Sequence, residues 1–187
     1  MAAAKIAVIV GSLRKESWNR KVALELMALA PASLATEIVP IGDLPLYNQD
    51  DDDGGKPPGP WTAFRQHMAG FQGVLFVTPE YNRSLPGALK NALDVGSRPY
   101  GKSIWDGKPG AVVSASPGAI GAFGANHHLR QSLVFLNVPC MQQPEAYIGG
   151  VAGLFDAQGK LAQEATRDFL RKFMEAFAAW VQKNARG

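Results

Sequence analysis

A chain of 187 residues that is 47% hydrophobic and only 19% charged has the length of one compact domain (1–187) and enough apolar material for a core, which excludes a disordered chain. The net charge of +3 describes a mildly basic surface suited to phosphorylated ligands, but no basic cluster or recognised nucleic-acid motif accompanies it, so no nucleic-acid partner is expected. The single cysteine, Cys140, forbids an internal disulfide, no leader peptide is evident, and no apolar run approaches the roughly 20 residues of a membrane span; a cytoplasmic protein without membrane contact is expected.

Residues 6–10 form a short, continuous, mostly β-branched run ending at Gly11, the pattern of a strand buried on both faces. Helical spacing follows over 17–30, with Val22, Leu26 and Leu29 on one side and Pro31 as the stop. A second strand is predicted over 36–41, and residues 42–60 read as a long Pro/Gly/Asp loop. A helix over 61–70 leads into a strong strand over 73–78. A helix over 86–95 carries Pro86 in its first turn, and a fourth strand covers 110–114. The last elements are a helix over 121–136, a strand within 141–148 and a long amphipathic helix over 161–182, with Phe169, Phe173, Phe177 and Trp180 on its apolar side.

This βα alternation predicts an α/β fold with one parallel sheet covered on both faces. Five strands point to a flavodoxin-like three-layer sandwich of strand order 2-1-3-4-5. Ligands of such sheets bind beyond the carboxyl ends of the strands, where the strand order reverses. The loops after strands one, three and four should therefore build the site.

The first loop runs Gly11-Ser12-Leu13-Arg14-Lys15-Glu16-Ser17-Trp18-Asn19 into a helix. Free backbone N–H groups at a helix start suit a terminal phosphate. Ser12, Ser17 and Asn19 add donors, and Arg14 adds a charged fork. A P-loop is ruled out by Glu16 at its second glycine position, and a dinucleotide fingerprint by Leu13. A plainer account has Ser17 capping the helix and Arg14 solvated, and the loop alone does not choose between the two.

The second loop, Thr78-Pro79-Glu80-Tyr81-Asn82, is stiffened by Pro79 and offers an aromatic wall in Tyr81 and an amide in Asn82, a place for a flat heterocycle. The third loop begins at Ser114-Ala115-Ser116-Pro117-Gly118 and continues through Gly121 to Gly124; its glycines permit close approach of backbone to ligand.

Three motifs resemble the NAD(P)H-dependent FMN reductases, including the bacterial quinone and chromate reductases of that group. The first is Gly11-Ser12-Leu13-Arg14 with Ser17 and Asn19. The second is Thr78-Pro79-Glu80-Tyr81-Asn82 followed by Ser84, Pro86-Gly87 and Leu89-Lys90-Asn91-Ala92. The third is the glycine loop running into His128-Leu129-Arg130-Gln131. The resemblance covers roughly residues 5–150 and implies a flavodoxin-like fold. It implies that FMN is held with its phosphate at Ser12, Arg14, Ser17 and Asn19, with Trp18 also among the cofactor-binding residues. Its ring would lie against Pro79, Glu80, Tyr81 and Asn82, mostly through backbone atoms, with Ser114, Ser116, Gly118 and Gly121 at the pyrimidine side. It further implies NADPH or NADH as co-substrate, ping-pong reduction of small-molecule oxidants (quinones, flavins, chromate, azo or nitro compounds), and a homodimer or homotetramer in which loop 44–48 nears a neighbour's flavin. In this family the flavin carries the chemistry, so no catalytic side chain and no metal are expected. The alternative is a flavodoxin-type electron carrier without enzymatic activity, although such carriers usually have acidic surfaces. Gly121-Ala122 departs from the paired glycines of many relatives.

Other features carry less. Asp50-Asp51-Asp52-Asp53-Gly54 lacks the EF-hand spacing and reads as a solvated acidic loop. His127 and His128 adjoin on a helix and should point apart. His67 reads as structural, and Cys140 as a buried, inert thiol.

Overall fold

The computed structural model describes residues 2–184. Five strands form one parallel sheet in the order β2-β1-β3-β4-β5: β1 (Ala4–Val10), β2 (Leu34–Ile38), β3 (Gly73–Thr78), β4 (Gly110–Ala115) and β5 (Ala146–Ile148). The helices are α1 (Trp18–Ala28), α2 (Gln49–Asp53), α3 (Gly59–Ala69), α4 (Gly87–Gly96), α5 (Phe123–Phe135) and α6 (Glu164–Asn184). Every β3 and β4 residue is buried, because helices cover both faces, and this is why those strands read as unbroken apolar runs.

Alternation along β1 divides the core. Ile6, Val8 and Val10 face the layer of α1 and α6, with Leu26, Phe173 and Phe177. Ala7 and Ile9 face the layer of α3, α4 and α5, with Trp61, Leu93, Trp105 and Leu129. The buried stripe of α6 is Leu170, Phe173, Met174, Phe177 and Val181. Phe169 and Trp180 are only half-buried, at the edge of the predicted stripe.

Several predicted bounds shift. β2 starts and ends earlier than 36–41, because it pairs with β1 from Ala4↔Leu34 to Val8↔Ile38 and the chain then leaves the sheet at Pro40. Val39 and Ile41 read as strand because both are buried below the sheet edge, at 2% and 4% exposure. The stretch 42–60 is not all loop. Asn48 caps the one-turn helix α2 by accepting from the Asp50 N–H at 3.2 Å. Nor is the acidic run simply solvated. Asp52 takes a bidentate pair from Arg65 at 2.8 and 2.7 Å, with side-chain exposures of 5% and 11%.

Register fixes where the site can be. Val10 pairs with Val77, Val77 with Val113, and Val113 with Ala146, so β1, β3, β4 and β5 end at one level. The loops after β1, β3 and β4 therefore leave the sheet at the same rim, on either side of the point where strand order reverses.

Candidate functional site

The first loop lies directly against the second. The Gly11 N–H donates to the Val77 carbonyl at 2.9 Å. A Cβ on Gly11 would come within 3.1 Å of Thr78 Oγ1 and 3.3 Å of Pro79 Cδ, so a side chain there would press the two turns apart by a few tenths of an ångström. Among the described residues, no backbone N–H from Ser12 to Glu16 makes a well-formed hydrogen bond to a backbone carbonyl. Such a row of free donors just before a helix can accept an anion. Ser17 is the N-cap of α1, its hydroxyl accepting from the Arg20 N–H at 3.1 Å, and Arg14 is exposed. Both parts of the plainer account are thus present, and neither uses up the free N–H groups.

Asn19 ties the first loop to the third, its Nδ2 donating to the Ala115 carbonyl at 3.1 Å. The residue is 4% exposed, and its Oδ1 has no hydrogen-bond partner. Trp18 behaves differently from its neighbours. Its ring turns into the α1–α6 layer, 5.7 Å from Phe155 and beneath Lys21 Nζ at 4.5 Å, which leaves only its backbone near the loop.

The second loop closes on itself. Tyr81 and Ser84 exchange backbone hydrogen bonds at 2.9 and 3.0 Å around Asn82 and Arg83, whose φ values are 51° and 66°. Two consecutive left-handed residues give a turn of the primed hairpin kind. Asn tolerates this conformation, whereas Arg gives no sequence sign of it. Tyr81 is 46% exposed at the tip. The Glu80 side chain is not free to wander. Its Oε2 accepts from the Ala125 N–H at 3.1 Å and Oε1 meets Arg83 at 3.3 Å. Tyr81, Pro86 and Gly87 face Gly11, Leu13 and Arg14 across a cleft of about 340 Å³.

In the third loop Ser114 is fully buried. Its hydroxyl donates to the Gly121 carbonyl at 2.7 Å and accepts from Asn126 Nδ2 at 3.1 Å, so it supports the loop from below. Ser116 donates to the Gly118 carbonyl at 3.1 Å. The backbone N–H groups of Gly118, Ala119 and Ile120 make no well-formed hydrogen bond to a backbone carbonyl among the described residues. Gly121, with φ of 60°, is glycine for an internal reason: a Cβ there would sit 2.6 Å from the Tyr147 carbonyl carbon. Its close approach is to β5.

Nearby, Tyr147 Oη lies 3.0 Å from His127 Nε2, and burial followed by a hydrogen bond to Glu145 pushes its pKa up to about 12. His128 turns the other way, to Ser84 Oγ at 3.0 Å, so the two histidines do point apart. His67 meets Glu37 at 2.9 Å on the surface, and burial raises the pKa of the half-buried Cys140 thiol. Three residues escaped the sequence reading as supports of the rim: the Glu80 side chain, Asn126 and Asn91. Asn91 clamps the loop after β2, accepting from the Tyr47 N–H at 2.8 Å and donating to the Leu44 and Pro45 carbonyls at 3.1 and 3.0 Å. A buried Asn in an apolar helix stripe was the available signal for the last two.

The 2-1-3-4-5 sheet, with free donors and an aromatic tip gathered at its switch point, defines a doubly wound α/β protein of the flavodoxin-like class. Residues 4–153 match the family described as NADPH-dependent FMN reductase, and the chain belongs to that family. It is 65% identical over 179 residues to a quinone reductase of Pseudomonas putida, covering 96% of this chain and 95% of that protein. It is 50% identical over 180 residues to a 2-hydroxy-1,4-benzoquinone reductase of a Burkholderia species, covering 96% and 97%. Among solved structures, the flavoenzyme NAD(P)H:acceptor oxidoreductase FerB of Paracoccus denitrificans superposes with a TM-score of 0.91 at 42% identity, over 98% of this chain and all (100%) of that one. The chain is therefore an NAD(P)H-dependent FMN oxidoreductase, and the enzymatic reading is favoured over that of a passive electron carrier.

Proposed function

We propose that the rim formed by the loops after β1, β3 and β4 seats FMN and that the chain reduces quinones and similar small oxidants there with NAD(P)H. The observation that carries this reading is the row of free N–H groups at 12–16, set against Pro79 and Tyr81. Those N–H groups, with Ser12, Ser17 and the Arg14 guanidinium, hold the phosphate. Asn19 Oδ1, a buried acceptor lacking a partner, fits a ribityl hydroxyl. Trp18 contributes its backbone alone. Pro79, the backbone N–H groups of Glu80 and Asn82, and the Tyr81 ring line the isoalloxazine. The free N–H groups of the 118–120 turn stand as fixed donors at the pyrimidine edge, where they stabilise negative charge. Ser114, Ser116 and Gly121 hold that turn in shape from within.

FMN held there would supply the redox chemistry that links the nicotinamide to the acceptor. The protein's part is to orient the ring and leave one face open, so nicotinamide and oxidant take turns on it. An open face accommodates quinones and free flavins, and it leaves room for chromate, azo and nitro compounds.

The whole chain acts as one domain, in the cytoplasm, as a homodimer or homotetramer. Support for self-association comes from α5, where Val134 and Phe135 are 78% and 86% exposed beside a cleft of about 490 Å³ shared with α4. Among the described residues no helix is long and apolar enough to cross a membrane.

The test is a spectrum of the purified protein followed by steady-state kinetics with a panel of acceptors. A flavin spectrum and parallel double-reciprocal lines with a quinone and no partner protein are expected. A protein that remains colourless after FMN addition, or that turns over only with a protein acceptor, contradicts the reading.

A further inference from the structure

A second concavity lies on the β2 side of the first loop. It holds about 540 Å³ and is lined by Arg14, Lys15 and Arg20 together with the apolar side chains of Leu13, Ile38 and Ile41. Arg14 is assigned above to the FMN phosphate. Lys15 and Arg20 are exposed, and neither side chain makes an ion pair or hydrogen bond among the described residues. The neighbouring carboxylate, Glu16, is engaged by Lys21 at 3.6 Å, and that lysine also lies over the Trp18 ring. The groove therefore holds positive charge with no internal counter-charge along its lining, which favours an anionic occupant.

Its floor is apolar. Val10, Val39 and Ile41 are buried beneath it, and Leu13, 58% exposed, rests against Gly42, where a Cβ would come within 3.3 Å of the leucine side chain. A flat, weakly polar body joined to a dianionic group matches this lining. Leu13 and Arg14 also line the cleft that faces Tyr81, so the groove and the cleft adjoin across these two residues.

We propose that this groove takes the 2′-phosphoadenosine end of NADPH, with Lys15 and Arg20 on the 2′-phosphate and the adenine against Leu13, Ile38 and Ile41. The proposal rests on the NAD(P)H-dependent reductase reading and adds to it the place where NADPH is told from NADH. Lysine and arginine make charge-assisted hydrogen bonds to phosphate oxygens, and NADH has no such group to offer them.

Calorimetric titration of the FMN-loaded protein with 2′,5′-ADP and with 5′-AMP tests this directly. The 2′-phosphorylated nucleotide is expected to bind about tenfold tighter or better, and an Arg20→Ala variant, outside the 12–16 phosphate loop, should remove most of the difference while keeping its FMN. In steady state Arg20→Ala should raise KM for NADPH by about tenfold, with kcat and the KM for NADH unchanged. Equal binding of the two nucleotides, an NADPH KM unmoved by Arg20→Ala, or inorganic phosphate competing as well as 2′,5′-ADP overturns the proposal. Failure of the reductase reading shows up separately, as a wild-type protein that oxidises neither nicotinamide.

Discussion

Glu80 Oε2 accepts a hydrogen bond from the Ala125 N–H at 3.1 Å, so the turn after β3 is fastened to the first turn of α5. That helix has no other side-chain cap, because Ala122 stands at its N-cap in a left-handed conformation with φ of 61°. The carboxylate meets both a free N–H and the positive end of the helix dipole. Gly124 makes the approach possible, since a Cβ there would lie 2.9 Å from Glu80 Oε2. His128 adds a second tie to Ser84 at 3.0 Å. The second and third loops are thereby held as one unit.

Glu80→Ala removes the cap and should cost about 1 kcal/mol of stability. Glu80→Gln keeps an acceptor and should lose less. If the clasp also sets the cleft for the ring, the alanine variant will release FMN faster than the glutamine variant. Thermal unfolding and FMN off-rates of both variants check this, and identical off-rates would leave Glu80 a helix cap alone.

Arg14 contributes a charge-assisted contact to the proposed phosphate site. Arg14→Ala should weaken FMN binding by about 1.5–3 kcal/mol, or roughly ten- to a hundredfold. Titration of the apoprotein followed by flavin fluorescence measures it. Riboflavin, which lacks the phosphate, should bind wild type and variant alike.

The Arg65–Asp52 pair is largely buried and bidentate, and Arg65 Nε also donates to the Val95 carbonyl at 2.8 Å. Arg65→Ala strands a carboxylate in a poorly hydrated place and leaves that carbonyl without its donor. A loss of about 3 kcal/mol is expected in urea unfolding. Arg65→Ala combined with Asp52→Ala should recover part of it, because no charge is then left without a partner.

Tyr147 sets an alkaline limit. Its pKa rises from the ordinary 10.0 to about 12, so the folded chain keeps a proton that the unfolded chain has released. Its contribution to stability is full below pH 10 and is lost as the pH climbs toward 12. Tyr147→Phe should flatten that part of the melting-temperature profile. An unchanged slope between wild type and variant would assign the decline to other groups.

The strands were readable because a buried parallel sheet demands continuous apolar runs, as at 6–10 and 73–78. The end of β2 was not, since pairing with β1 and Pro40 set it, and the apolar character of Val39 and Ile41 has another cause. Ser17 and Asn19 stood out as polar residues at a helix start. The Glu80 clasp did not, because its partner lies 45 residues away and is a backbone N–H, which no side-chain pattern marks. Gly121 was conspicuous, but the backbone of β5, which leaves no room for a Cβ there, could not be seen in the sequence. Asp52 was hidden among like residues until Arg65 could be seen beside it.

A crystal structure of the chain with FMN bound tests the central claim most directly. The phosphate should lie within hydrogen-bond reach of the 12–16 N–H groups and Arg14, with the ring between the 79–82 turn and the 118–120 turn. A phosphate seated elsewhere, or a ring lodged in the α4–α5 cleft, would contradict it.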